Sequence, residues 1–272
     1  FNRHSKPIKL TAAGEYYIEY IKKLQAAEME LQEQLNGLRE QEAGKLNIGG
    51  SNFFCSYKLP GIFMQFKERY PKYKVALTEG NPQYLQQLLQ NSDLDMIVGV
   101  EQLDTKIYNR EFWMEERLLL AVSAIDPINE ELADYRLTYD ELQQGRHLQS
   151  DCPQVSIGKF AKKDFYLLNR GNDGYNRTMT MCRNAGFKPN VVMYLDQMMT
   201  IYNATKSGKG CALIREDIVK NSEPTSKLYF YKLDDALSSR DIYIYYKKAN
   251  VLSTAARHLI QFLHEGQSEN FK

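Results

Sequence analysis

Long apolar runs are missing from this sequence. Stretches such as Leu118-Leu119-Leu120-Ala121-Val122 fall far short of the ~20 residues that cross a bilayer, so no membrane-spanning helix is expected. The first residues do not read as a secretory leader, because Arg3, His4, Lys6 and Lys9 are followed by no apolar h-region. There is almost no excess of charge: 35 Lys and Arg against 34 Asp and Glu leave a net +1, so the chain as a whole has no electrostatic drive toward nucleic acid. Contact with DNA must then be local. Cysteine is scarce and scattered, with Cys55, Cys152, Cys182 and Cys211 forming no C-x-x-C. That excludes a disulfide framework or a zinc ribbon, and four buried thiols in a reducing cytoplasm are expected. Catalytic signatures are absent as well: no G-x-S-x-G, no H-E-x-x-H and no P-loop. His258 and His264 stand six apart, the wrong spacing for two ligands on one helix face, so they read as surface residues. His147 and Cys152 are too isolated for a metal site. No metal, cofactor or catalytic residue is expected.

What is present begins with a long helix. Thr11 is suited to cap it, helical sequence runs from 12 to about 42, and Ala43-Gly44 stops it. At 1.5 Å per residue such a helix is roughly 45 Å long. Tyr17, Ile21, Leu24, Leu31, Leu35 and Leu38 follow a 4-3 spacing, interrupted by Glu28. This predicts an a/d seam that a lone helix cannot bury on itself, and therefore self-association.

After Gly44 the chain alternates between short apolar strands and amphipathic helices. Strands are predicted at 46–49, 74–77 and 94–100, with helices at 59–70 and 82–90 between them. This βαβαβ order predicts a parallel sheet covered by helices. Two more strands are expected at 107–112 and 117–123. A second alternation follows: helix 139–144, strand 164–168, helix 174–185, strand 190–194, helix 197–206 and strand 211–214. Returning strands are expected at 228–231 and 241–246, and a terminal helix at 250–263. The tyrosines Tyr229, Tyr231, Tyr243, Tyr245 and Tyr246 read as sheet-face packing. Two successive α/β units with no flexible linker predict two lobes joined by strands and facing each other across a cleft, the usual small-molecule site of such folds.

Several stretches, in order, carry a family resemblance. Phe1-Asn2-Arg3 and Ile8-Lys9-Leu10-Thr11-Ala12-Ala13-Gly14-Glu15 resemble the end of the winged helix-turn-helix of LysR-type transcriptional regulators. Gly44-Lys45-Leu46-Asn47-Ile48-Gly49 resembles the strand that opens their effector domain. Leu59-Pro60, Phe66 and Tyr70-Pro71 resemble the following helix, and Leu94-Asp95-Met96-Ile97-Val98 the LD-x-x-I strand. Gly208-Lys209-Gly210-Cys211-Ala212-Leu213-Ile214 resembles a later strand entry. Each motif alone is weak; the ordered set covers essentially the whole chain.

The resemblance implies an α/β fold of two Rossmann-like subdomains of the type-2 periplasmic-binding-protein kind, preceded by a dimerisation helix. It places a wing remnant at 1–11 and the linker helix at 12–43. Subdomain I is placed at 44–124 and 246–272, and subdomain II at 125–245. It implies a cytoplasmic transcription factor that assembles as a homodimer or homotetramer, with a small-molecule effector between the lobes. Double-stranded DNA would be bound through an N-terminal domain expected to lie before Phe1. Arg3 and Lys6 would touch phosphates there, but base readout needs a recognition helix.

Candidate ligand residues lie at strand ends. Gly50-Ser51-Asn52-Phe53 joins the first strand to a helix, where backbone N–H groups attract anions. The resemblance puts Ser51 at a ligand-contacting position; helix capping is the plainer role for Ser51 and Asn52. Asn81 is a cleft donor or a turn residue before Pro82. Glu101, ending the third strand, would disfavour a purely anionic ligand if it stood near the cleft, but a charged strand end is more often solvated. In the second unit Asn169, Arg170 and Gly171 lead from strand to helix. Arg170 could grip a carboxylate or phosphate, or simply be solvated. Asp196 opens the next helix as cap or contact. Gly208-Lys209-Gly210 is no dinucleotide fingerprint, because it follows a helix and opens a strand. Two rival readings remain open: a solute receptor of a transport system, and an enzyme on the same fold.

Overall fold

Three parallel strands form the first half of the structure, a computed structural model that describes residues 11–21, 23, 24, 27, 44–100, 102–250 and 252–269. β1 (Lys45–Gly50) lies between β2 (Lys74–Glu79) and β3 (Met96–Gly99). Their inward residues Leu46, Ile48, Met96 and Val98 are buried, so each strand must be covered. The cover comes from α2 (Leu59–Arg69), α3 (Pro82–Asn91) and α9 (Thr254–Glu269). Phe66 of α2 is fully buried, with its ring 5.6 Å from that of Phe262 on α9. His258 is half-buried rather than a surface residue, since its Nδ1 lies 2.9 Å from the Tyr73 hydroxyl and its ring stacks on Tyr70.

One strand connects this half to the next. β4 (Tyr108–Ser123) runs unbroken for 16 residues where two strands were expected. From Tyr108 to Arg117 it pairs antiparallel with β10 (Ser239–Lys247), which also pairs with β3. From Leu118 to Ser123 it pairs with β8 (Cys211–Arg215) and β9 (Leu228–Tyr231). β8 is parallel to β6 (Asp164–Leu168), which is parallel to β7 (Asn190–Leu195), and the two-residue β5 (Arg136–Leu137) sits beside β9. The chain therefore changes sheet at Arg117/Leu118, and returns between Tyr231 and Ser239. Both crossings come earlier in the chain than positions 124 and 246, because the apolar 118–122 run pairs with β8 and β10 pairs with β3.

The second half is covered by α6 (Asp173–Asn184) and α7 (Met198–Ser207), with short helices α4 (Ile128–Glu131), α5 (Tyr139–Gln143) and α8 (Glu216–Lys220) at its margins. Phe160, Phe165, Leu167, Leu213 and Tyr231 form one of its cores. The Gly-x-Gly entry to β8 is a packing device: a Cβ at Gly210 would stand 2.9 Å from the Asp164 carbonyl oxygen. All four cysteines are free thiols, but Cys55 is half-buried rather than buried.

At the N-terminus, residues 12–21, 23, 24 and 27 are helical and make up the described part of α1. Thr11 caps it, its Oγ1 accepting from Gly14 N at 3.1 Å. Tyr17 and Leu24 of the predicted seam are 64% and 46% exposed, and Ile21 is half-exposed. Leu31, Leu35 and Leu38 lie outside the described residues, as do Arg3 and Lys6. Among the described residues no helix is long and apolar enough to cross a membrane.

Candidate ligand cleft between opposed strand ends

The register of β4 fixes how the two halves face each other. Gly99, ending β3, pairs with Tyr243, which also pairs with Phe112 of β4. β3 therefore runs in the direction of β4, and its carboxyl end points toward Arg117. β8 runs against β4, with Arg215 opposite Leu118. The carboxyl ends of β1, β2 and β3 and those of β6, β7 and β8 thus aim at each other across one crossing. In open α/β sheets that is where ligands collect.

On the first side, the chain after Gly50 enters a helix at Asn52 that widens to a π turn at Phe54–Lys58 before α2. Such bulges are frequent at functional sites. The π turn has no acidic residue in its first turn and no side-chain cap. Ser51 and Asn52 are half-buried, and Asn52 Nδ2 donates to Glu79 Oε1 at 3.1 Å. Asn81 caps α3, accepting from Tyr84 N at 2.9 Å. Cys55 donates to the Gly50 carbonyl, and burial, then the Glu79 charge, push its thiol up to about 11. It is no thiolate nucleophile at neutral pH.

On the second side, Asn169 donates to the Asp196 carboxylate, joining the ends of β6 and β7. Arg170 is exposed, and Gly171 takes φ +87°, where a side chain would be strained. Asn172 caps α6, accepting from Gly174 N at 2.9 Å. The structure thus brings Ser51 and Asn52 to one rim and Asn169, Arg170, Gly171 and Asp196 to the other. Glu101 lies outside the described residues.

Between the rims lie charges that the sequence did not disclose. Glu116 of β4 pairs with Arg240, its cross-strand neighbour on β10, and lies 3.2 Å from Arg215. Arg240 also binds Asp173 at the start of α6, and Asp173 binds Arg177 at 2.8 Å. Burial works against the charge on Arg240, but the Glu116 and Asp173 carboxylates outweigh it and raise its pKa. Arg215 stacks over Phe53, 4.3 Å from the ring centroid, and Lys58 of the π turn reaches Asp217 of α8 at 2.6 Å. These partners are up to 159 positions apart in the chain, so no local pattern marks them. Among the described residues no cluster of His, Cys, Asp or Glu is placed to hold a metal.

A family model described as the LysR substrate binding domain matches residues 39–268. The chain belongs to the LysR family of transcriptional regulators. The HTH-type transcriptional regulator YwbI of Bacillus subtilis is 28% identical over 228 residues, covering 82% of this chain and 67% of YwbI. The transcriptional dual regulator GltC of the same organism is 23% identical over 225 residues, covering 82% and 68%. Among solved structures, the effector binding domain of BenM with its effector benzoate superposes with TM-score 0.67 at 17% identity, covering 84% of this chain and 95% of BenM's; it shares the fold. Most of the chain is therefore the effector-binding domain of a LysR-type regulator, with the type-2 periplasmic-binding-protein-like architecture, and the transport-receptor reading gives way to the regulator reading.

Proposed function

We propose that this LysR-type regulator is switched by a small anionic metabolite seated between the opposed strand ends. The observation that carries the reading is the register of β4, which aims both sets of carboxyl ends at one crossing. The first rim offers backbone N–H groups at a helix start with no acidic side chain in its first turn, flanked by Ser51 and Asn52. The second offers Arg170 and the backbone of Gly171. Benzoate, the effector of BenM, is itself a carboxylate. The reading is of a binder, not an enzyme. An effector acts by fitting one arrangement of the halves better than another. That preference passes to DNA-binding heads of the family's winged-helix kind, acting on double-stranded DNA in the cytoplasm.

A thermal-shift screen of carboxylates, phosphorylated sugars and sugars tests it. A ligand present at 100 times its Kd should add about 2.7 kcal/mol of stability. Ser51→Ala and Arg170→Ala should each weaken that effect. No hit, or a hit indifferent to both substitutions, would remove the site from this cleft.

The exposed Tyr17 and Leu24 stripe on α1 supports a homodimer, or a tetramer built from it. Tyr17→Asp with Leu24→Asp should lower the assembly mass in sedimentation. Unchanged mass would show that the stripe is not the contact.

A further inference from the structure

A second cavity, of about 290 Å³, lies outside the strand-end cleft. Its walls include Glu115, Arg117, Leu118 and Leu119 of β4 and the whole Lys232–Ser239 region apart from Leu237. Those are the two places where the chain passes between its sheets. None of the strand-end residues borders it. Side chains alternate along a strand, so Glu115 and Arg117 project from the face of β4 opposite to Glu116 and its buried network. The cavity is thus on the far side of the crossing from Arg240.

Its wall carries both signs of charge. Arg117 is held by Glu115 at 2.6 Å. Lys232 and Asp234, two residues apart, form no ion pair among the described residues; the Lys232 ammonium has a 3.5 Å contact with the Gln149 carbonyl. His147 contributes to the wall from within: its Nε2 pairs with Glu216, and its Nδ1 has no hydrogen-bond partner. An unpaired cation and an unpaired anion on one short connection suit a ligand that carries both charges. The volume falls just below the ~300–1,000 Å³ range of small-molecule pockets, which limits the occupant to a small ligand.

We propose that this cavity is a second effector site, which takes a free amino acid or similar small zwitterion. Its carboxylate meets Lys232 and its ammonium meets Asp234. Both walls belong to the crossings, so a change of angle between the two sheets reshapes the cavity. A ligand here has different affinity for different arrangements and shifts their balance without entering the strand-end cleft. The proposal goes beyond the cleft reading and does not depend on it.

Calorimetric titration of this chain with each proteinogenic L-amino acid, its N-acetyl form and its amide tests it. At least one free amino acid should bind with unit stoichiometry, and both blocked forms should bind at least about tenfold more weakly. Lys232→Met and Asp234→Asn should each weaken binding by about the same factor. Ala236→Trp, at an exposed wall position, should abolish it while leaving the Tm of the free protein unchanged. Ser51→Ala should leave it intact. The proposal is overturned if no free amino acid binds, or if the blocked forms bind equally well. It is also overturned if the Lys232 and Asp234 variants bind as before. Loss of binding in Ser51→Ala alone would move the amino acid to the strand-end cleft, overturning this proposal while sustaining that one.

Discussion

The two strand-to-helix junctions that face each other across the crossing are built from the same plan and finished differently. After β1 the helix starts at Asn52, which donates to Glu79, and runs into a π turn with no side-chain cap and no acidic residue in its first turn, beside a half-buried Ser51. After β6 the helix start is closed off: Asn172 caps α6, and Asp173 ties its first turn to Arg177 and the buried Arg240. Asp173 thus stands at the positive end of α6 as part of that helix, whereas the carboxylate at the helix after β1 comes from another strand, Glu79 of β2, to which Asn52 donates. The second junction is tied into the buried network at the crossing, and the first is not.

The largest effect that would break this contrast is at Arg240. Arg240→Leu removes the shared cation, leaving the buried Glu116 with Arg215 and the part-exposed Asp173 with Arg177. It should cost about 3–5 kcal/mol in urea denaturation; a loss below about 1 kcal/mol would show that the second junction is not held by this network. Next is the contact that joins the first junction to the opposite half. Lys58→Met strands the nearly buried Asp217 carboxylate and should cost about 1–3 kcal/mol. Smaller, and more pointed, is a matched pair. Asn172→Ala removes a cap and should cost about 1 kcal/mol, while Ser51→Ala should stay within about 0.5 kcal/mol and show its effect only in ligand affinity. Equal stability losses would erase the distinction.

The smallest effect is a pH slope. Burial works to raise the Glu216 pKa, but the His147 hydrogen bond and Lys220 outweigh it, so the folded value lies below the ordinary 4.5. Glu216 therefore contributes stability above pH 4.5 that is lost as pH falls through its folded value. Glu216→Gln, compared with wild type after each is referred to its own stability at neutral pH, should show a shallower acid decline. An identical decline would remove Glu216 from the acid response.

Much of the scaffold was legible, and the reasons are local. β6 (Asp164–Leu168) and β9 (Leu228–Tyr231) fall on the expected residues because each is a short apolar run between turn signals. β4 was read as two strands, 107–112 and 117–123, because Glu115 and Glu116 interrupt its apolar pattern. In the structure Glu116 is buried beside its cross-strand partner, and the apolar pattern cannot show that pairing. The first helix was expected to begin at Leu59, next to Pro60, yet helical structure begins at Asn52, since a π turn leaves no spacing signature. Strand ends could be read as loops following apolar runs, which placed Ser51, Asn52 and Asn169 to Gly171 at the ends of β1 and β6. Arg215, Lys58, Asp217 and Arg240 could not, because their meaning depends on which strand lies beside which.

β4 passes from one sheet to the other as uninterrupted extended backbone, hydrogen-bonded along both its lengths. Such a connection behaves as a leaf spring rather than a door hinge. Relative rotation of the halves must be spread as small twists over many peptide units, with a restoring torque at every angle. A metabolite bound on either side of that spring, as proposed above, would not release a loose joint; it would reset the spring's resting curvature.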